Sequence, residues 1–249
     1  MEEGCGTALK QRSAAWHLAR QGKLTASNLG AALGLVSYVS RDTAFRRAMG
    51  TDKFEGNTAT RWGTENEMNG IMEYQWLSGN LVDATGLHVH PSYHWLAGSP
   101  DGLVGTEGMI EVKCPYFRRR DGSILHKTIP KHYYLQVNAL LTITGRAWCD
   151  YVCWCTDGVC AYRVYQDDAL FNWLLSFYGQ FYAAMQSGAA GPPPLSVFSK
   201  AQIIQEIDAS MQKNVDYGFY TNADPGCPPP SSDPYDGDED EAQPMDPEG

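Results

Sequence analysis

The chain has 249 residues, a hydrophobic fraction of 43% and a formal net charge of −10. Such a chain can bury a substantial core in one large domain or two small ones, and no apolar run approaches the roughly 20 residues of a membrane-spanning helix. The acidic balance is a poor argument against nucleic-acid binding, because residues 224–249 hold nine acids and no Lys or Arg. Residues 1–223 are close to neutral, which leaves room for a local basic groove.

The N-terminus and the cysteines indicate an intracellular protein. The start Met1-Glu2-Glu3 is acidic and lacks the basic-then-apolar order of a signal peptide. The cysteine count is seven, and an odd number favours reduced thiols over a disulfide framework. We therefore expect a protein of the cytoplasm or nucleus that is not secreted and does not contact a membrane.

Capping residues, Gly and Pro divide the chain into predicted elements. We expect an N-terminal arm over residues 1–12, a single domain over 13–221, and a disordered tail rich in Pro, Asp and Glu over 222–249. Short strands are expected between residues 81 and 113, followed by a hairpin of strands 147–156 and 159–165. Helices are expected around Trp16, from the capping residues Thr25 and Ser27 to Gly34, and over 41–50, 58–78, 131–143, 167–187 and 200–213. Strands flanked by helices on both sides indicate an α/β sandwich.

The motif Ser99-Pro100-Asp101-Gly102 is followed by Glu111-Val112-Lys113. Alternate side chains of a strand share a face, so Glu111 and Lys113 point the same way. A loop around residues 105–108 would bring Asp101 beside Glu111. Two carboxylates can then hold Mg²⁺ or Mn²⁺, and the lysine can orient an attacking water. A hairpin with a Glu-x-Lys pair is also common as a solvated strand face, so the motif alone leaves both interpretations open.

The predicted helix over 58–78 carries Glu67, which could complete an acidic metal site. Glu65 lies about 200° around the helix, so only one of the two can face such a site. An ordinary solvated glutamate is the alternative. Residues that share the face of Glu67 at helical spacing are Gly63, Gly70, Ile71 and Tyr74, and the apolar positions of the helix are Trp62, Met68, Ile71, Met72, Trp76 and Leu77.

Three further groups carry hydrogen-bond donors suited to anions or to the metal site. Arg20, Thr25 and Ser27 lie at a predicted helix start, where free amides bind phosphate; a helix cap with a surface arginine is the alternative. Gln136 lies on the helix after the motif, where a lone glutamine is usually at the surface. Residues 118–120 are three arginines that suit DNA backbone contacts or a solvated loop equally well.

These blocks occur in an order that resembles one family. Residues 16–27 read WHLARQGKLTAS and resemble the W-H-x-x-R-x-G-x-(I/L)-T-A-S signature of the lambda-type exonucleases, also called YqaJ-like viral recombinases. The resemblance spans roughly residues 13–160. Its other blocks are Trp62-Gly63 with Glu67, the two halves of the S-P-D-G…E-V-K-C-P core at 99–102 and 111–115, Leu135-Gln136-Val137 and Ala147-Trp148.

The resemblance implies a PD-(D/E)XK restriction-endonuclease-like core, with a central mixed sheet flanked by helices, over residues 13–221. It implies that Mg²⁺, or Mn²⁺ in its place, binds as two ions, and that Lys113 activates the water with support from Gln136. The implied metal ligands are Asp101, Glu111, the Val112 carbonyl and Glu67. The implied pocket for a 5′-phosphate consists of Arg20, Thr25, Ser27 and Ser99.

The implied activity is a metal-dependent 5′→3′ exonuclease that degrades one strand of double-stranded DNA from a 5′-phosphorylated end. It would leave 3′ overhangs for recombination or repair, and its relatives form a homotrimeric ring and act with a single-strand annealing protein. The family's apolar wedge would fall near Thr60, which is not a large apolar residue. Two alternatives stay open: a structure-specific or single-strand endonuclease of the same superfamily, and a catalytically inactive module that binds DNA ends.

Overall fold

Two β-sheets organise the computed structural model, which describes residues 9–52, 55–117, 124–195 and 199–221. The smaller sheet contains β1 (Leu24–Thr25), β2 (His88–Val89) and β3 (Leu96–Gly98) in the order β1-β3-β2. The larger contains β4 (Gly102–Val104), β5 (Gly108–Lys113), β6 (Trp148–Cys155), β7 (Gly158–Tyr165) and β8 (Val215–Thr221), paired in chain order. Of these pairs β5–β6 is parallel and the others are antiparallel, so the larger sheet is mixed.

The helices of the described chain follow the predicted pattern closely. They are α1 (Ala14–Arg20), α2 (Leu29–Ala32), α3 (Arg41–Ala48), α4 (Thr58–Ser78), α5 (Lys131–Thr144), α6 (Asp168–Gln186) and α7 (Lys200–Asn214). Side chains that accept from free amides of the first turn begin several of them, as Ser13 does for α1, Asn57 for α4 and Asp167 for α6. None of the described helices is long and apolar enough to cross a membrane.

The larger sheet has a separate apolar cluster on each face. One cluster joins α5, α6 and α7 to the face that carries Met109, Tyr151 and Cys153. The other joins Ile71 and Tyr74 of α4 to the opposite face, through side chains such as Ile110, Val112 and Trp154. Successive residues of β5 thus enter different clusters, as the two-residue repeat of a strand requires. Helices on both faces of a mixed sheet confirm the predicted α/β class.

The long helix α4 begins and ends where the sequence predicts, but part of its apolar set faces outward. Met68, Met72 and Trp76 are 61%, 59% and 76% exposed, while Gly70, Ile71 and Tyr74 are buried. Residues at intervals of four lie on one side of a helix, so the two methionines and the tryptophan form a stripe away from the sheet.

The C-terminal part of the described chain contains a strand that the sequence reasoning missed. β8 pairs antiparallel with β7 and completes the larger sheet. The arginines at 118–120, the N-terminal residues 1–8 and the acidic tail at 222–249 lie outside the described residues. The boundaries expected at residues 12 and 221 therefore stay predictions.

Candidate active site

The β4–β5 hairpin places Asp101 next to the centre of β5. Gly105 takes a φ of +52° in the turn, a backbone conformation that favours glycine. The Asp101 amide donates to the Ile110 carbonyl at 3.1 Å, and the Val112 amide donates to Asp101 Oδ2 at 2.7 Å. Asp101 is thereby held against the segment that carries Glu111, as the spacing of the two motifs predicts.

Glu111 lies at the centre of the site and is 2% exposed. Its Oε1 atom accepts from Lys113 Nζ at 2.5 Å and from Gln136 Nε2 at 2.6 Å. Its Oε2 atom is buried and has no hydrogen-bond partner in the described structure. The Lys113 ammonium also lies 4.7 Å from the centre of the Tyr133 ring. Gln136 is buried, so the alternative of a surface glutamine does not hold.

Glu67 reaches this region because α4 packs closely against the sheet. A Cβ atom on Gly70 would lie 2.7 Å from Val112 Cγ1, so this close approach requires glycine. Glu67 forms an ion pair with Arg12, just ahead of α1. Glu65, two residues earlier, is exposed, which leaves Glu67 as the carboxylate that approaches the site.

Burial and mutual repulsion perturb the charges of the site. Burial raises the pKa of Asp101 well above its usual value, and the charges of Glu111 and Glu67 raise it further. Burial also raises the pKa of Glu111, although the Lys113 ammonium opposes that shift. Burial lowers the pKa of Lys113, but the nearby groups that favour its charge, first among them the Glu111 carboxylate, together outweigh burial and the net shift is upward. The lysine is therefore a cation at neutral pH.

The carboxylates fit a hard divalent cation. Among the described residues no group of three His, Cys, Asp or Glu side chains forms a ready set of metal ligands. Glu67 pairs with Arg12, and Glu111 Oε1 accepts from Lys113 and Gln136. A buried carboxylate oxygen without a donor is nevertheless costly, and Glu111 Oε2 is such an atom. A cation would satisfy it and relieve the repulsion from Asp101 and Glu67. Oxygen ligands suit Mg²⁺ and Mn²⁺.

A second cluster of hydrogen-bond donors forms where two blocks of the resemblance meet, residues 16–27 and the motif that begins at Ser99. Strand β1 pairs in parallel with β3, with Thr25 opposite Ala97, and Ser99 follows β3 directly. Arg20 donates to Thr25 Oγ1 at 3.3 Å, and the hydroxyls of Thr25 and Ser27 lie 3.3 Å apart.

Trp16 joins Arg20 to Ser99. The indole Nε1 atom of Trp16 donates to Ser99 Oγ at 2.9 Å, and the Arg20 guanidinium lies 4.1 Å from the centre of the Trp16 ring. Burial lowers the pKa of Arg20 to about 10, while the charge of Glu111 acts in the opposite direction. The pocket and the carboxylates are thus close enough to interact, and a desolvated cation in the pocket would be stabilised by an anion.

Several residues of the site were given no role by the sequence reasoning. Trp16 precedes Arg20 by four residues on α1 and Tyr133 precedes Gln136 by three on α5, so helical spacing could have indicated both. Arg12 offered no such signal. Near the position of the family's wedge, Thr60 uses its side chain in a capping box with Asn57 at the start of α4.

Comparisons with known proteins agree with this architecture. The model of the YqaJ-like viral recombinase domain matches residues 15–147, more than half of the chain. Uncharacterized protein R354 of Acanthamoeba polyphaga mimivirus is 27% identical over 112 residues, which are 40% of this chain and 20% of that protein. The chain thus matches only about a fifth of the length of that relative.

Solved structures of an alkaline exonuclease from Laribacter hongkongensis, LHK-Exo, are also similar. One is 28% identical with a TM-score of 0.58, covering 71% of this chain and 94% of that one. LHK-Exo in complex with dAMP is 26% identical with a TM-score of 0.54, covering 81% and 97%. With its mixed sheet and flanking helices in the PD-(D/E)XK arrangement of these exonucleases, the chain belongs to the YqaJ-like viral recombinase family.

Proposed function

We propose that this chain is a metal-dependent DNA exonuclease that degrades one strand of a duplex 5′→3′ from a 5′-phosphorylated end. It would leave 3′ overhangs for recombination or repair. One observation carries the proposal: the buried Glu111 oxygen without a partner lies in a carboxylate cluster that interacts with the half-buried Arg20 of the donor pocket. The related LHK-Exo is an alkaline exonuclease that binds the mononucleotide dAMP, which supports the release of mononucleotides.

The metal-binding role belongs to Asp101, Glu111 and Glu67, with the Val112 carbonyl as a further oxygen. Bound Mg²⁺, or Mn²⁺ in its place, would polarise the scissile phosphate and stabilise the developing charges, most effectively as a pair of ions. Gln136 and Lys113 hold Glu111 Oε1 and leave Oε2 available as a ligand. The protein therefore presents Glu111 Oε2 to a metal ion, and Glu67 would exchange its ion pair with Arg12 for the metal.

Lys113 acts as a donor rather than as a base in this proposal. Its pKa is raised, so the ammonium keeps its proton at neutral pH. A fixed ammonium orients the attacking water and stabilises negative charge that develops on the phosphate oxygens. The hydrogen bond to Glu111 and the contact with the Tyr133 ring restrict the position of the Lys113 ammonium.

The choice of a DNA end belongs to the pocket of Arg20, Thr25, Ser27 and Ser99. A guanidinium with nearby hydroxyls recognises a phosphate through charge-assisted hydrogen bonds. A terminal phosphate bound there would set the distance to the bond at the carboxylates. A ring of three copies around DNA and a single-strand annealing partner are further parts of the proposal; sedimentation of the protein with and without duplex DNA tests the ring.

The deciding assay compares linear duplex DNA with and without a 5′-phosphate in the presence of Mg²⁺. We expect mononucleotides from the phosphorylated 5′ strand, loss of product with chelator, and loss of product with the isosteric Asp101→Asn variant. Glu107→Gln removes an exposed carboxylate from the same hairpin and should stay active.

Three other outcomes would contradict the proposal. Equal cleavage of closed circles would favour a structure-specific or single-strand endonuclease. Tight binding of ends with no product from the wild type would favour a catalytically inactive end-binding module. Metal-independent product would exclude the assigned role of the carboxylates.

A further inference from the structure

Three aromatic rings lie together just beyond the end of β5. The Trp62 and Tyr116 rings meet edge to face with centroids 5.9 Å apart, and the Tyr116 and Phe117 rings meet similarly at 4.9 Å. Trp62 packs partly against the core, whereas Tyr116 and Phe117 are each 44% exposed. We call these three residues the aromatic cluster. Adjacent exposed rings of this size keep apolar surface in water, which is typical of a binding surface.

The aromatic cluster borders the candidate active site. Tyr116 follows Lys113 by three residues, a span of at most about 10 Å of chain. A Cβ atom on Gly63 of α4 would lie 4.0 Å from the Cys114 carbonyl oxygen, so α4 lies close to the segment after β5 here. Trp62 packs against the apolar cluster that contains Val112 and Cys114. The rings therefore lie next to the end of β5 that carries Lys113.

The chemistry of the rings matches nucleobases rather than phosphates. A nucleotide whose phosphodiester reaches the carboxylates must leave its base pair, and its base then needs a new partner for its flat apolar faces. Aromatic side chains supply that partner without sequence preference, because every base has such a face. The three residues that follow Phe117 in the sequence are arginines, whose charge suits the backbone of the same strand.

We propose that the aromatic cluster is a stacking site for an unpaired base at the DNA end, with Tyr116 and Phe117 contacting the base and Trp62 supporting them. This inference rests on the proposed function for the identity of the ligand. It adds a binding site that holds the base apart from its complement while the phosphodiester occupies the carboxylate cluster. Removal of the rings should affect paired ends most, because an end that is already frayed needs less help to stay open.

The binding test uses duplex DNA with a 5′-phosphate and an unpaired 5′-terminal 2-aminopurine, in chelator so that no cleavage occurs. Stacking quenches 2-aminopurine fluorescence, and we expect quenching with the wild type. The double variant Tyr116→Leu/Phe117→Leu should lower affinity at least about fivefold, the lower limit for one lost base–ring stack, and should abolish the quenching. The double variant Tyr116→Phe/Phe117→Tyr keeps both rings and should behave as the wild type.

A thermal melt of each variant shows whether the fold is kept. If the leucine variant unfolds, the variant that keeps both rings still tests the inference, because a loss of its quenching would contradict the stacking site. Unchanged affinity and quenching in a folded leucine variant would overturn the stacking site. A leucine variant that changes oligomeric state with unchanged DNA binding would overturn it too, because the rings would then cover a protein interface.

Cleavage assays separate this inference from the proposed function. If the wild type digests linear duplex and the leucine variant digests paired and frayed ends equally well, the exonuclease stands and the stacking site fails. If the wild type quenches 2-aminopurine through the rings but releases no nucleotide, the stacking site stands and the exonuclease fails. If both hold, the leucine variant should lose at least about fivefold in rate on paired ends and less on frayed ends.

Discussion

Gln136 donates its side-chain amide to Glu111 Oε1 at 2.6 Å, from the second turn of α5 to the middle of β5. Lys113 donates to the same oxygen, so one carboxylate atom carries both hydrogen bonds and the other carries none from the described residues. This asymmetry leaves Glu111 Oε2 as the oxygen atom that the proposed metal ion would contact. Partners that orient a ligand in this way usually change metal affinity or activity by 10–100-fold when removed.

The two glutamates of α4 provide a matched pair of variants. Glu67→Gln should reduce Mg²⁺-dependent cleavage by at least about tenfold, because a charged oxygen near the site becomes a neutral amide. Glu65→Gln on the exposed side of the same helix should leave the rate within about twofold. Rates are measured across a Mg²⁺ titration, and an equal effect of the two variants would contradict the assignment of Glu67.

The raised pKa of Asp101 predicts a pH-dependent stability of the metal-free protein. The folded state binds the Asp101 proton more tightly than the unfolded state, so the free energy of unfolding falls as pH rises from the ordinary carboxyl pKa through the raised one. Asp101→Asn removes this loss, so the metal-free variant should melt at a higher temperature than the wild type at neutral pH. Each kcal/mol gained in the free energy of unfolding should raise the melting temperature by about 2–4 °C.

That difference should shrink as pH approaches the ordinary carboxyl range, where wild-type Asp101 is protonated in both states. Addition of Mg²⁺ should raise the melting temperature of the wild type more than that of the variant. Calorimetry from pH 4 to pH 8 measures both effects. A melting-temperature difference that grows toward low pH would show that the sign is wrong.

Arg20 and Lys23 test the pocket for the 5′-phosphate. Arg20→Ala removes a half-buried guanidinium, and hydrogen bonds to charged groups contribute about 1.5–3 kcal/mol, so the preference for phosphorylated over unphosphorylated ends should fall roughly ten- to hundredfold. Lys23→Ala removes a nearby charge that bonds the His94 carbonyl instead and should keep the preference. Competition between the two kinds of end, measured for each variant, decides; a preserved preference in Arg20→Ala would remove the pocket assignment.

Gly70 and Gly179 test the close packing of α4. A methyl group at Gly70 would lie 2.7 Å from Val112 Cγ1 and 3.2 Å from Trp154 Cβ, so Gly70→Ala should destabilise the protein by about 1–3 kcal/mol and lower activity through a shift of Glu67. Gly179 on α6 has no such neighbour, and Gly179→Ala should stabilise by up to about 1 kcal/mol. Chemical unfolding measures both effects. An unchanged free energy of unfolding in Gly70→Ala would show that α4 can move away from the sheet.

Local rules predicted the parts of the site that lie close together in sequence. The two-residue repeat placed Glu111 and Lys113 on one face, and the glycine-rich turn placed Asp101 beside them. Helical spacing indicated that only one of Glu65 and Glu67 can face the site, and the family resemblance implied Glu67. The same spacing does not say which apolar stripe of α4 meets the sheet, and the outward positions of Met68, Met72 and Trp76 follow from the packing of Gly70 and Tyr74.

The sequence by itself determined the helices, the carboxylate hairpin and, through the order of its motifs, the family. Tertiary structure alone decided that Trp16 would bond Ser99, that Arg12 would pair with Glu67, and that Val215–Thr221 would complete the sheet. These contacts join positions more than 50 residues apart, and their free energy depends on the packing of whole elements rather than on neighbours in the chain. The parallel pairing of β1 with β3 is the clearest case, because no local signal predicted this pairing, which joins the donor pocket to the carboxylate hairpin.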